Sequence, residues 1–133
     1  MKKVNGLSLI ELLFVMVIVA ILVGIAYPTY RDFITKVNRA EAQQTLLQIA
    51  NMQEQYYVNH GMYAANLSLL GYPLPTYATA SGNYEIRISA SSEINFTLSA
   101  YAQNTQKEYD DDCLNISIND LGEKKGSSEL CWN

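Results

Sequence analysis

Few residues in this chain have chemistry to offer: two cysteines, one histidine, one misplaced glutamate, an acidic run and a handful of cations. Cys113 and Cys131 do not have zinc-site spacing, and the single His60 leaves no Cys/His ligand set. Ser-His-Asp, Cys-His and phosphate-loop arrangements are absent too, so neither catalytic residues nor a cofactor are expected, and the chain does not read as an enzyme. Glu108, Asp110, Asp111 and Asp112 offer oxygen atoms, but their spacing is not that of an EF-hand calcium loop, and a solvated acidic loop is the plainer reading. Arg87, Lys107, Lys124 and Lys125 are the candidates for a basic patch that would meet nucleic acid. Glu123 and Glu129 crowd them, and the chain carries a net charge of −4, which makes nucleic acid the disfavoured partner. The triplets at Asn66, Asn95 and Asn115 match a glycosylation pattern by chance, since two lie in strand-like stretches. That leaves Glu11. It opens a stretch, Leu12 to Tyr30, that carries no formal charge, and a carboxylate so placed is costly and tends to mark function.

The elements that carry these residues emerge from the pattern around them. A short basic leader, Met1-Lys2-Lys3-Val4-Asn5-Gly6, precedes the apolar run. At about 1.5 Å per residue that run just crosses the ~30 Å hydrocarbon core of a bilayer as a helix. An ordinary secretory signal cut near Gly24-Ile25-Ala26 is the weaker alternative. Glu11 near the helix start would complement the helix dipole. Gly24 and Pro28 are breakers, because proline lacks an N–H and crowds the preceding turn, so a kink or loosened stretch is expected there. From Thr29 to about Asn59 the helix turns amphipathic, with Ala42, Leu46, Ile49, Ala50 and Tyr57 on a core stripe. Arg31, Asp32, Lys36, Arg39, Glu41 and Glu54 are expected on a solvated face, with Gly61 as a left-handed cap beyond Asn59-His60.

Gly61 to Asn83 reads as a loop punctuated by Tyr63, Tyr72 and Tyr77. Tyr84–Ile88 and Ile94–Ala102 alternate as strands joined by Ala90–Glu93, with Ile94, Phe96, Leu98 and Ala100 inward. A third alternating stretch places Leu114, Ile116 and Ile118 inward, Asn119–Gly122 turns the chain, and a weak fourth strand falls near Glu123–Gly126. The fold class is α+β: a long helix covering one side of a small antiparallel sheet. In an exported domain Cys113 and Cys131 read as one disulfide tying down the tail, worth about 3 kcal/mol in the chain-entropy model; two separate buried thiols are the alternative.

Gly6, then an apolar residue, a small polar residue, two apolar residues and Glu11, resembles the class III signal of type IV pilins. Pro28 with Tyr30-Arg31-Asp32-Phe33 is similar to the segment that succeeds this signal in that family. Arg39-Ala40-Glu41-Ala42, Gln55-Tyr56-Tyr57 and the Cys131-Trp132 ending look most like PilE-type minor pilins. The resemblance covers essentially the whole chain, with one departure: Leu7 stands where most of the family has Phe or Met. It implies a pilin fold with a leader (1–6), a transmembrane and filament-core helix (7–30) and a globular head (31–133). It implies cleavage between Gly6 and Leu7 by a prepilin peptidase, N-methylation of Leu7, and a register role for Glu11 against the Leu7 amine of a neighbouring subunit. The implied function is a structural, minor-pilin subunit of a type IV pilus. The alternatives are a pilin acting as adhesin or DNA-uptake receptor, or a type II secretion pseudopilin. The implied partners are other pilin subunits, the prepilin peptidase and the assembly machinery. The chain would sit in the inner membrane before assembly and in an extracellular pilus after it.

Overall fold

The computed structural model describes Gly6 and residues 8–132, so Leu7 lies outside the described residues. The chain divides into two compact units, residues 1–33 and 34–133. One helix, α1 (Leu9–His60), runs through both.

In the first unit the residues of α1 from Leu9 to Tyr30 are all exposed, although nearly every one is apolar. This part of α1 is long and apolar enough to cross a membrane. The helix is continuous through Gly24 and Pro28. Pro28 has no N–H to give the Gly24 carbonyl, one turn back, so that turn is held by one bond fewer than its neighbours. One residue further on, the Thr29 hydroxyl donates to the Ile25 carbonyl at 3.3 Å.

In the second unit α1 buries Ala42, Leu46 and Ile49 completely, as their spacing predicts. Gln53 extends the same stripe and is fully buried. It survives there because its amide accepts from Ala64 N–H at 2.8 Å and donates to Ala64 C=O at 3.0 Å, satisfying both ends. Tyr57 departs from expectation: it lies at the rim, more than one-third exposed, stacked on Tyr63. The helix ends where glycine permits it, with Gly61 at φ +72° and its N–H on the Tyr57 carbonyl at 2.8 Å.

Against α1 lies a five-stranded antiparallel sheet in simple sequence order. Its strands are β1 (Thr76–Ala78), β2 (Tyr84–Ser91), β3 (Phe96–Ala102), β4 (Asn115–Asn119) and β5 (Lys124–Gly126). β1 occupies part of what reads as loop, pairing Tyr77 with Ile86. Tyr84, Ile86, Phe96, Leu98, Ala100 and Ile116 fill the core beneath the helix. Two inward assignments fail. Ile94 is 73 % exposed because the β2–β3 turn spans Ser92–Asn95, closed by Ser92 N–H on Asn95 C=O, and Phe96 takes the first inward place. Leu114 has a helical backbone just before β4, which takes it out of the strand alternation and leaves it exposed.

The acidic stretch between β3 and β4 is also not the solvated loop expected. It forms a short helix, α2 (Asn104–Tyr109), and a 3₁₀ turn, Asp111–Cys113, and it buries Gln106 and Asp110. Beyond β5 the tail closes in a 3₁₀ turn, Glu129–Trp132, tied by the Cys113–Cys131 disulfide with Cα atoms 5.5 Å apart. Gly126 makes room for it, since a Cβ there would come within 2.7 Å of the Cys131 Cβ. The Trp132 indole N–H donates to Lys125 C=O at 2.9 Å, fastening the tail to β5.

Candidate functional site

Glu11 lies in the first turn of α1, exposed among Leu9, Ile10, Leu12 and Leu13. Gly6 has open space around its Cα. The cleavage and methylation assignments involve Leu7, which lies outside the described residues.

From Ile34 onward α1 has two faces. Thr35, Ala42, Leu46, Ile49 and Gln53 turn into the head. Val37, Ala40, Gln44, Leu47, Asn51 and Val58 stand exposed, spaced mostly by three, four or seven. That is the spacing of a seam made for another helix, although only part of it is apolar.

The buried polar junction of the head has no counterpart in the sequence pattern. Arg39, expected on a solvated face, instead makes a bidentate pair with Asp110, whose side chain is 4 % exposed. Asp110 Oδ2 also accepts from Gln106 Nε2 at 2.9 Å and faces the Tyr84 hydroxyl at 3.2 Å. Gln106 in turn donates to Thr35 C=O at 3.0 Å and accepts from Asn38 at 3.1 Å. One carboxylate thereby joins α1, β2 and α2, with nearly every polar group satisfied. Glu41, also expected in solvent, receives the Ser81 N–H at 3.2 Å and holds the β1–β2 turn to α1. Asp32, Lys36 and Glu54 are exposed as expected.

Burial pushes the Tyr84 phenol up to about 12, with the charge of Asp110 adding and Gln106 and Arg39 opposing. Burial acts to lower Arg39, but its bonds and charge contacts with Asp110 and Tyr84 raise it on balance. A phenol whose folded value is raised stabilises the fold fully below its ordinary value near 10 and loses that contribution as pH climbs toward 12. Chemical denaturation at stepped pH should therefore show head stability falling between about pH 10 and 12. Tyr84→Phe should flatten part of that fall. Part remains, because Tyr63 is also pushed up to about 12, by burial and its bond to Glu54. An identical slope in the Phe variant would show that Tyr84 ionisation is not what the head resists.

The cations do not gather into one patch. Arg87 lies over the Tyr101 ring at 4.0 Å on the outer face of the sheet. Lys125 is in the same cross-strand row, reached through Ser99 and Ser117, and lies 3.9 Å from Glu123. Lys124 sits over Trp132 at 5.2 Å, and Lys107 belongs to α2. A groove of about 410 Å³ between α1 and the tail is lined by Lys36, Arg39, Gln43, Asp112, Ser128 and Leu130, mixing both charges. No group of His, Cys, Asp and Glu able to hold a metal ion occurs among the described residues. His60 is exposed, stacked on Tyr56 and bonded to its carbonyl at 3.0 Å.

Comparison with known proteins fits this architecture. The chain is 34 % identical over 71 residues to the type IV major pilin protein PilE1 of Neisseria gonorrhoeae, covering 53 % of this chain and 43 % of that protein. It spans under half the length of the first curated relatives it matches. A solved type IV pilin from Shewanella oneidensis superposes with a TM-score of 0.52 at 27 % identity, covering 74 % of this chain and 98 % of that one. The Neisseria meningitidis non-core minor pilin PilV shares the fold, with a TM-score of 0.55 at 24 % identity over 74 % of this chain and 94 % of that one. Residues 1–27 match the prokaryotic N-terminal methylation motif. Residues 28–117 match the family described as "Type IV minor pilin ComP, DNA uptake sequence receptor", and the chain belongs to that family of type IV pilins.

Proposed function

We propose that this chain is a filament subunit of a type IV pilus. The observation that carries the reading is α1 itself: its first twenty-odd residues are nearly all apolar yet exposed, while its later part buries only one face. Such surface needs a bilayer first and other helices afterwards. Before assembly the chain is held in the inner membrane by Leu12–Tyr30, with the head outside. A prepilin peptidase cuts between Gly6 and Leu7 and methylates the new amine. Other pilin subunits then replace lipid around α1, driven by a separate assembly machinery. Gly24 and Pro28 mark where the helix loosens in that exchange, because Pro28 has no N–H to give the Gly24 carbonyl.

Gly6→Val is expected to block processing, since a branched side chain obstructs the extended backbone that a peptidase cleft must admit. Immunoblots should show only the slower, unprocessed species. Normal mature protein would sink the cleavage assignment. Mass spectrometry of sheared filaments reads the mature N-terminus, its methylation and the subunit's abundance together.

A second reading is favoured by one finding, the match of residues 28–117 to a family described as a DNA uptake sequence receptor. On it the head contacts DNA through Lys124 and Lys125, beside Trp132. Charge opposes this, because the chain has nine Lys and Arg against thirteen Asp and Glu, and Arg39 is committed to Asp110. Full-length protein in micelles should then bind duplex DNA with a salt dependence that becomes shallower by about two in Lys124→Ala/Lys125→Ala. Absence of binding at low salt would end this reading.

A further inference from the structure

The backbone carbonyls of both cysteines are gripped by side chains from other elements. Gln43 Nε2, on α1, donates to Cys131 C=O at 2.6 Å. The Tyr84 hydroxyl, on β2, faces Cys113 C=O at 3.3 Å. One residue from Cys131, Leu130 C=O is met by Arg39 Nη1 at 3.5 Å, and Asp110 links Arg39 to Tyr84. Below the tail, Trp132 bonds to Lys125 C=O, and Ser127 N–H bonds to Asn115 C=O at 3.1 Å. These contacts use backbone groups and side chains only. None needs the sulfur–sulfur bond.

We infer that α1 and β5 form a seat that holds the tail in place before and without the disulfide, while Tyr84 on β2 steadies the Cys113 end, so that the bond locks a docked tail rather than docking it. The inference does not depend on whether the subunit enters a pilus. Three features support it. The tail packs closely on β5, with Cys131 and Gly126 in contact. Its anchors lie on both sides of Cys131, so the residue is fixed at its carbonyl and not by its side chain alone. Arg39 and Gln43 are four apart on α1, one turn, and so present their donors along the same side of the helix. A chain emerging with both thiols reduced would offer them side by side to an external disulfide. The thiolate of one cysteine attacks that disulfide, forming a mixed disulfide and releasing one thiolate. The thiolate of the other then displaces the second, closing Cys113–Cys131.

Trp132 is the only tryptophan, so its fluorescence reports the tail alone. In full-length protein in micelles, Cys113→Ser/Cys131→Ser should keep Trp132 shielded from acrylamide as in the disulfide-bonded chain. Adding Gln43→Ala to that background should shift docking toward the free tail by about fivefold, the size of one net hydrogen bond. The same substitution with the disulfide present should change quenching little, because the covalent tether already holds the tail. Gln44→Ala, on the exposed face, is the control. Amide exchange of β3, read in the same samples, separates a released tail from an opened head. The inference is overturned if the Ser/Ser chain already exposes Trp132 while β3 stays protected, or if its whole head opens. Equal effects of Gln43→Ala with and without the disulfide overturn it too.

Discussion

Arg39→Ala should cost the head about 3–5 kcal/mol, the penalty for leaving a buried charge without its partner. That is a large share of the 5–15 kcal/mol by which a domain is ordinarily stable. Asp110 would keep Gln106 and Tyr84 as donors, but no positive charge, in a site where its side chain is 4 % exposed. Denaturant titration of the full-length protein in micelles, monitored by far-ultraviolet dichroism and amide exchange of β3, gives the number. The companion variant decides its meaning. Arg39→Met/Asp110→Leu removes both charges and keeps comparable volume. Tyr84 still has Cys113 C=O, and Gln106 still has Thr35 C=O, so neither donor is orphaned. Stability should therefore return to within about 1–2 kcal/mol of the parent, as for other buried pairs replaced by apolar residues. If the double variant is as unstable as the single, packing of the Arg39 stem is what matters, and the ion pair is not the cause. Lys125→Ala marks the other extreme. Its contact with Glu123 is 3.9 Å long and exposed, so less than about 1 kcal/mol is at stake.

This junction also marks the limit of what sequence pattern can reveal. Nothing local separates Asp110 from Asp111 and Asp112, which are exposed. Its partner Arg39 is 71 positions away, and charges on an amphipathic helix default to solvent. Only the placement of α2 against α1 brings the two together. The same holds for Gln53, whose burial depends on Ala64 offering both backbone groups to one amide. The legible parts rest on long periodic signals: the apolar run, the Ala42–Leu46–Ile49 stripe, and the alternation through β2, β3 and β4. β1 is three residues between Pro75 and a turn, too short to show a period, and it exists because β2 offers it an edge. The cysteine pair is readable because, once an exported domain is expected, two thiols without zinc-site spacing have few other uses. The family resemblance is carried most specifically by the first thirty residues and extends along α1, through Arg39–Ala42 and Gln55–Tyr57, to the Cys-Trp ending. The DNA-receptor description of the matched family has no such local mark, and the dispersed cations explain why.

Glu11→Val should leave the chain processed but largely exclude it from filaments. The substitution lies four residues beyond Leu7, so the Gly6–Leu7 backbone still reaches the peptidase. In the membrane it even removes a cost, since a carboxylate inside an apolar span is disfavoured by a few kcal/mol. Its retention calls for a compensating partner, and the new amine of Leu7 on a neighbouring subunit is the cation the proposed processing creates. Without Glu11 that amine enters the helix bundle unpaired, at several kcal/mol per subunit. At 1.4 kcal/mol per tenfold, incorporation relative to the parent should fall by about a hundredfold or more. A bare dipole role predicts something much smaller. Losing a carboxylate from the first turn of a helix is worth about 0.3–1 kcal/mol, a few-fold at most. The size of the loss separates the two, and Glu11→Gln, which keeps size and hydrogen bonding while removing the charge, checks that the charge is what is lost. Sheared filaments and whole cells are compared by quantitative immunoblot for parent, Glu11→Val and Glu11→Gln. Loss near a hundredfold in both variants supports the pairing role. A few-fold loss in both leaves Glu11 as a dipole partner only, and unchanged incorporation removes it from assembly altogether.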